Sequence, residues 1–168
     1  PKGFYVMFAG SIGKSQDFET ILSAAKLLKS QIRDLKFIII GDGRERQTME
    51  ERKEALNLSN NVFFLGSFPV RDMPSFYEKA DVMLVTLKDE EIFSVTVPLK
   101  VQTYMACGKP IISNVKGEAK RVINDANCGF VADPEDPASL AKAIEEAFQK
   151  KGAELKKLGS NARAYFDK

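Results

Sequence analysis

Residues 5–28 read YVMFAGSIGKSQDFETILSAAKLL, and the class of the fold turns on them. Tyr5, Val6, Met7, Phe8 and Ala9 form a short apolar run closed by Gly10, the pattern of a strand buried on both faces of a parallel sheet. Residues 10–16 hold two glycines and no hydrophobic period, so they read as a loop. Asp17 stands where a helix N-cap belongs, and Phe18, Ile21, Leu22, Ala25 and Leu28 then recur at helical spacing. Strand, glycine loop and helix in succession make the first piece of a β–α–β unit.

The unit repeats outward from there. Residues 36–40 (KFIII) form a second strand whose three successive isoleucines imply burial on both faces. Gly41-Asp42-Gly43 ends it, and the charged run 44–58 reads as a surface helix. Residues 61–66 make a third strand closing on Gly66, and a short helix opening near Asp72 holds Pro74, Phe76, Tyr77 and Ala80. Residues 81–86 make the fourth. The segment 87–97 has no clean period and holds Lys88, Asp89, Glu90 and Glu91, which reads as loop. Pro98 suits the first turn of a helix that ends at Cys107-Gly108. A fifth strand over 109–113, a short helix over 118–124 and a sixth strand over 128–131 follow. Asp136 suits the cap of a helix over 137–150, and a last amphipathic helix covers about 154–166. The expected fold is α/β: a doubly wound, Rossmann-like parallel six-stranded sheet with helices on both faces and right-handed crossovers.

The 168 residues, 44% hydrophobic and 29% charged, suit one domain over 1–168 with a core of its own. Twenty-five Lys and Arg against 23 Asp and Glu leave a net charge of +2, which gives no reason to expect nucleic acid or an anionic membrane as partner. Cys107 and Cys128 form no C-x-x-C pair, which favours a reduced, cytoplasmic chain. No apolar run reaches the ~18 residues of a membrane span, and no signal peptide is seen, so no transmembrane segment is expected. The most informative count is that of histidine, which is zero. Ser–His–Asp and Cys–His nucleophiles, histidine metal sites and histidine acid–base chemistry are thereby excluded from this chain. The chain opens Pro1-Lys2-Gly3 with no initiator Met and turns apolar almost at once, so it is expected to be a fragment of a longer protein.

Ligands of open α/β sheets bind beyond the carboxyl ends of the strands, at the point where strand order reverses. The loops there are 10–16, 41–43, 66–70, 87–97 and 113–118. Gly10-Ser11-Ile12-Gly13-Lys14 lies between a buried strand and a helix N-terminus. Free amides and a positive helix end there favour a phosphate by ~0.3–1 kcal/mol at the surface and up to ~2 when partly buried. Neither G-x-G-x-x-G nor a P-loop is present, so a phosphate loop and a plain glycine turn both remain open. Thr96-Val97-Pro98-Leu99-Lys100 sets a lysine in a first helical turn, where the helix dipole disfavours it. A diphosphate facing the first loop would explain Lys100; simple solvation is the other reading. Asp89, Glu90 and Glu91 read as a solvated charged loop rather than a metal site, and no metal is expected. Asp42 between glycines reads as a turn residue, and Cys107 as core rather than nucleophile.

The segments GSIGKSQDFETILSAA, FIIIGDG, NNVFFLGSF, FYEKADVMLV, VPLKVQTYMACGKPII, GEAKRVI and CGFVADPED, in this order, resemble the C-terminal, nucleotide-sugar-binding half of a family 4 (group 1) glycosyltransferase with the glycosyltransferase B fold. The resemblance runs from Tyr5 to about Gln149, and its V-P-x-K-V-x-x-Y-M-A-x-G-K-P variant is similar to transferases that build bacterial surface polysaccharides. It implies two Rossmann-like halves with the active site between them. The C-terminal half holds a nucleoside-diphosphate sugar, and the absent N-terminal half holds the acceptor, a glycan or lipid-linked glycan. It implies no cofactor and no metal, because cations and helix N-termini neutralise the leaving diphosphate. Transfer is expected to retain anomeric configuration. The full-length protein is expected in the cytoplasm, with peripheral contact to the inner face of the membrane.

Carried over position by position, Gly10, Ser11, Gly13 and Lys14 approach the diphosphate, and Lys100 adds charge beside the helix opening at Val97 and Pro98. Gly41 and Gly43 form the second glycine edge, and the loop with Phe68 and Val70 lines the base. The family's common pattern has an Arg just after the first-loop glycine and a Lys five residues on, where this chain has Ser11 and Gln16. Its paired glutamates would fall near Val95 and Thr103. Lys14 and Lys100 are therefore expected to take the diphosphate role. Glu90 or Glu91, with Ser94, is expected to reach the sugar, and the Thr103 hydroxyl to replace the ribose-binding carboxylate. The expected activity is sugar transfer in bacterial polysaccharide or lipopolysaccharide assembly, with the isolated domain inactive. Two rivals stand beside it. A nucleotide-sugar epimerase of the same fold normally uses histidines, which this chain lacks. A non-catalytic α/β module of receiver type should end its strands on acidic residues, where this chain has Gly10, Gly41 and Gly66.

Overall fold

The structure, a computed structural model, describes residues 2–168. Strands β1 (Phe4–Ala9), β2 (Leu35–Ile40), β3 (Val62–Gly66), β4 (Val82–Val85), β5 (Ile111–Ser113) and β6 (Gly129–Val131) form one sheet in the order β3-β2-β1-β4-β5-β6. Every neighbouring pair is parallel. Strand order reverses between β1 and β4, so the crevice outside their carboxyl ends is where a ligand has room. The helices are α1 (Phe18–Leu28), α2 (Arg46–Ala55), α3 (Met73–Lys79), α4 (Glu91–Ser94), α5 (Leu99–Ala106), α6 (Glu118–Ala126), α7 (Pro137–Gln149) and α8 (Ala153–Phe166).

Alternation along β1 divides the core in two. Val6 and Phe8 pack on one side with Ile21 and Leu22 of α1 and Ile144 of α7. Met7 and Ala9 pack on the other with Val101 and Tyr104 of α5, Ile123 of α6 and Ala162 of α8. Each fully buried large apolar side chain contributes on the order of 1.5–3 kcal/mol. No described helix is long and apolar enough to cross a membrane.

Local details depart from the sequence reading. Asp17 precedes α1 in the left-handed region at φ 55° and makes no capping hydrogen bond. Burial pushes its carboxyl up, against the opposing pull of the Thr20 hydroxyl and amide. Pro98 lies before α5 rather than in its first turn, at φ −57° and ψ 141°. The segment read as loop contains α4, a single turn in which Ser94 Oγ donates to the Glu91 carbonyl at 2.7 Å. One turn is too short to show a period. The charged surface helix is shorter than its run of charges: Asn57, left-handed at φ 57°, lies just beyond its end. Cys107 is exposed, not core, because α5 ends there and carries it past buried Tyr104 and Met105. Asp136 caps α7 as expected, its Oδ1 accepting from the Ser139 amide at 3.0 Å.

Candidate functional site

β1 and β4 pair only at Val6↔Val82 and Met7↔Met83, then part. On that side the Ala9 amide and carbonyl have no strand partner, and a buried backbone pair left that way is costly. The Tyr104 hydroxyl meets both, accepting from the Ala9 N–H at 3.3 Å and donating to its carbonyl at 3.1 Å. Lys100 stands one turn earlier on the same face of α5, which points it at the mouth of the same split. Its side chain crosses the sheet edge against Gly10: a methyl added there would lie 2.5 Å from Lys100 Cε and 2.7 Å from Nζ. The ammonium rests 3.9 Å from the centroid of the Phe8 ring. It makes no hydrogen bond or ion pair with any described residue, and burial draws it down to about 8.

Beside this lysine the glycine ends of β1 and β2 touch. Gly10 has φ 150° and Gly41 φ 135°, and a methyl on Gly41 would overlap the Gly10 carbonyl oxygen. Both positions need the absent side chain and the left-handed φ. A cleft of about 350 Å³ opens there, lined by Gly10, Ser11 and Gly41 and by Phe68, Met73 and Tyr77. A second depression of about 390 Å³ holds Gly13, Lys14 and Gly43 and shares Ser11 and Asp42 with the first. The exposed Lys14 lines the second depression, Lys100 lies against Gly10, and neither lysine lines the first cleft itself.

The first loop is not the row of free amides expected of it. The Gly10 amide donates to the Ile40 carbonyl at 2.9 Å and the Ile12 amide to the Asp42 carbonyl at 2.9 Å. Gln16 Oε1 accepts from the Gly13 amide at 3.1 Å. Ser11 keeps an unpartnered amide, and so do Leu99 and Lys100 at the start of α5, where no side chain caps the helix. Unpartnered amides at a helix start, with a cation on the same turn, are the kind of donors that attract an anion.

Other expected contacts lie farther out. Glu90 and Glu91 are exposed and carry no ion pair among the described residues. Asp89 instead pairs with Lys116 at 2.8 Å. The Ser94 backbone sits against Gly117, where an added methyl would overlap the Ser94 carbonyl oxygen. Thr103 Oγ1 donates to the Leu99 carbonyl at 3.2 Å, which leaves it only as an acceptor toward a ligand. Val97 is half-buried against the α5 side of the core, and Val70 is 87% exposed; neither lines the cleft. Phe68 stacks tilted on Phe76 at 4.5 Å. No group of three or more Cys, Asp or Glu among the described residues is arranged to hold a metal. Sequence reasoning missed Phe8, Met73 and Tyr77, whose apolar types read simply as core. It also took Asp42 only as a turn: its Oδ1 accepts from the Gly43 amide at 2.8 Å, but the residue lines both depressions.

Comparison with known proteins matches the family described as glycosyl transferases group 1 over residues 1–165. A Pseudomonas aeruginosa protein named probable glycosyltransferase WbjE is 34% identical over 142 residues, which covers 83% of this chain and 34% of that protein. The lipopolysaccharide 1,2-N-acetylglucosaminetransferase of Salmonella typhimurium is 25% identical over 154 residues, covering 87% of this chain and 39% of that one. This chain thus spans well under half the length of either relative. The crystal structure of Anabaena Alr3699/HepE in complex with UDP superposes with a TM-score of 0.83 at 22% identity, over 98% of this chain and 44% of that one. With the family match running through every strand and helix from which the cleft is built, the chain belongs to the group 1 glycosyl transferases.

Proposed function

We propose that the chain is the donor-binding half of a transferase that moves a sugar from a nucleoside-diphosphate sugar to an acceptor held by a second domain. The observation that carries this reading is the Lys100 ammonium, desolvated, without a carboxylate partner, and laid across Gly10, a residue that lines the cleft. As the bond between the anomeric carbon and the phosphate oxygen breaks, negative charge grows on the departing diphosphate. The acceptor oxygen bonds to that carbon, and its proton passes to an oxygen of the departing diphosphate. A fixed cation and the Ser11, Leu99 and Lys100 amides bind the developing charge better than the ground state, which is how they lower the barrier. Lys14 adds a second, exposed charge across Ser11. Phe68 and Tyr77 take the base side of the cleft, and Glu91 with Ser94 takes the sugar side. Retention of anomeric configuration, and a glycan or lipid-linked glycan as acceptor in bacterial polysaccharide or lipopolysaccharide assembly, complete the reading. The name of the Salmonella lipopolysaccharide enzyme supports that setting.

The test is thermal stabilisation by UDP, GDP and ADP against their nucleosides. At about 100 times Kd a ligand adds ~2.7 kcal/mol, an easily read shift. Lys100→Met should weaken the diphosphate about tenfold or more, as expected for losing a charge-assisted contact, and leave the nucleoside unchanged. Equal losses for both would remove Lys100 from the diphosphate site. No stabilisation by any nucleoside diphosphate would end the reading.

A further inference from the structure

We propose that Phe8 is a positioning residue for Lys100: its ring face, reached through the gap at Gly10, seats the ammonium at the diphosphate position without neutralising it. The inference rests on the donor-binding reading above. A largely desolvated lysine normally finds a carboxylate. Lys100 finds a ring instead, and its 3.9 Å approach is shorter than the other cation–ring contacts of the described residues, the next being Lys151 over Phe148 at 4.3 Å.

The difference matters for an anion site. A carboxylate would cancel the charge that the diphosphate must meet, whereas the negative face of an aromatic ring attracts the ammonium and leaves its net charge in place. The seat is rigid. Phe8 is fully buried and meets Phe18 edge-on at 4.8 Å and 68°, so the ring cannot swing away. Tyr104 ties α5 to Ala9 one turn along, which fixes the height at which Lys100 crosses the sheet edge. Gly10 supplies the passage, since any side chain there would occupy the place of Lys100 Cε and Nζ.

The first measurement reads the wild-type chain. In the folded chain the Lys100 Hε resonances, assigned by their loss in Lys100→Met, should lie upfield of the other lysines because they sit over the Phe8 ring. Lys100 Hε resonances among those of the solvated lysines would overturn the seat. The second uses whichever of UDP, GDP and ADP stabilises the wild-type chain. Phe8→Leu keeps an apolar side chain in the core and removes the ring face. It should abolish the upfield shift and weaken that diphosphate about three- to thirtyfold, with the matching nucleoside unchanged. In a Lys100→Met background the same Phe8→Leu change should cost the diphosphate nothing further, because Phe8 acts through the lysine. An undiminished loss in that background would show that Phe8 acts on packing alone and would overturn the proposal. An upfield-shifted Lys100 in a chain that binds none of the three diphosphates would overturn the donor reading, and with it the role of the seat, while leaving the seat as a structural fact.

Discussion

Lys100 is the residue whose chemistry is most exposed to a simple measurement. Burial holds its ammonium at about 8 instead of the usual 10.5, so in the free protein the charge fades as pH passes 8. On the proposed reading, diphosphate binding needs that charge. Affinity for whichever of UDP, GDP and ADP binds should therefore fall about tenfold between pH 7 and 9, while binding of the matching nucleoside stays level and Lys100→Met shows no such fall. Stability of the unliganded chain moves the other way. Between about 8 and 10.5 the unfolded chain binds the proton more strongly than the folded one, so this lysine makes stability rise with pH across that window. Lys100→Met should remove that rise, read from melting curves at pH 7, 8.5 and 10. The spacing of residues 96–100 made the lysine visible as an oddity in a first helical turn. Nothing in the sequence shows that a phenylalanine on β1 lies beneath it, because Phe8 reads as core whichever way Lys100 points.

Among the elements, those with several turns and an apolar face were legible and the single turns were not. α7 is the clearest case: Leu140, Ile144 and Ala147 recur at helical spacing and are buried, and Asp136 caps the helix through the Ser139 amide. Asp136→Ala should cost ~1 kcal/mol and lower Tm by roughly 2–4 °C for a domain of this size. Neither Asp136 nor Ser139 lines the cleft, so diphosphate affinity should hold; a large loss of binding would mean that α7 does more than pack. α4 and the approach to α1 went the other way. Asp17 has the right residue type for a cap, yet the chain enters α1 through a left-handed turn in which its side chain forms no regular capping bond. Such turns are set by what the loop packs against, here the Gly13–Gln16 bond and the Thr86 hydroxyl donating to the Gln16 carbonyl at 2.7 Å.

For the molecule as a whole, the proposed reading assigns the acceptor to a second domain. The 168-residue chain should bind a nucleoside diphosphate yet transfer no sugar to any acceptor offered; turnover in a radiolabelled-donor assay would show that the acceptor site lies within these residues. The sequence by itself determined the order of six strands and their helices, the two-sided core and the glycine edges, because hydrophobic period and glycine placement are local signals. It also removed histidine chemistry outright. Only the tertiary structure brings the Gly10 and Gly41 edges together at one cleft. Tyr104 reaches Ala9 across ninety-five positions, where β1 and β4 no longer pair, and one turn earlier on the same helix Lys100 lies over Gly10. Contacts at such separation depend on how the strands are ordered and how far each pair runs, and no periodicity within a segment encodes either.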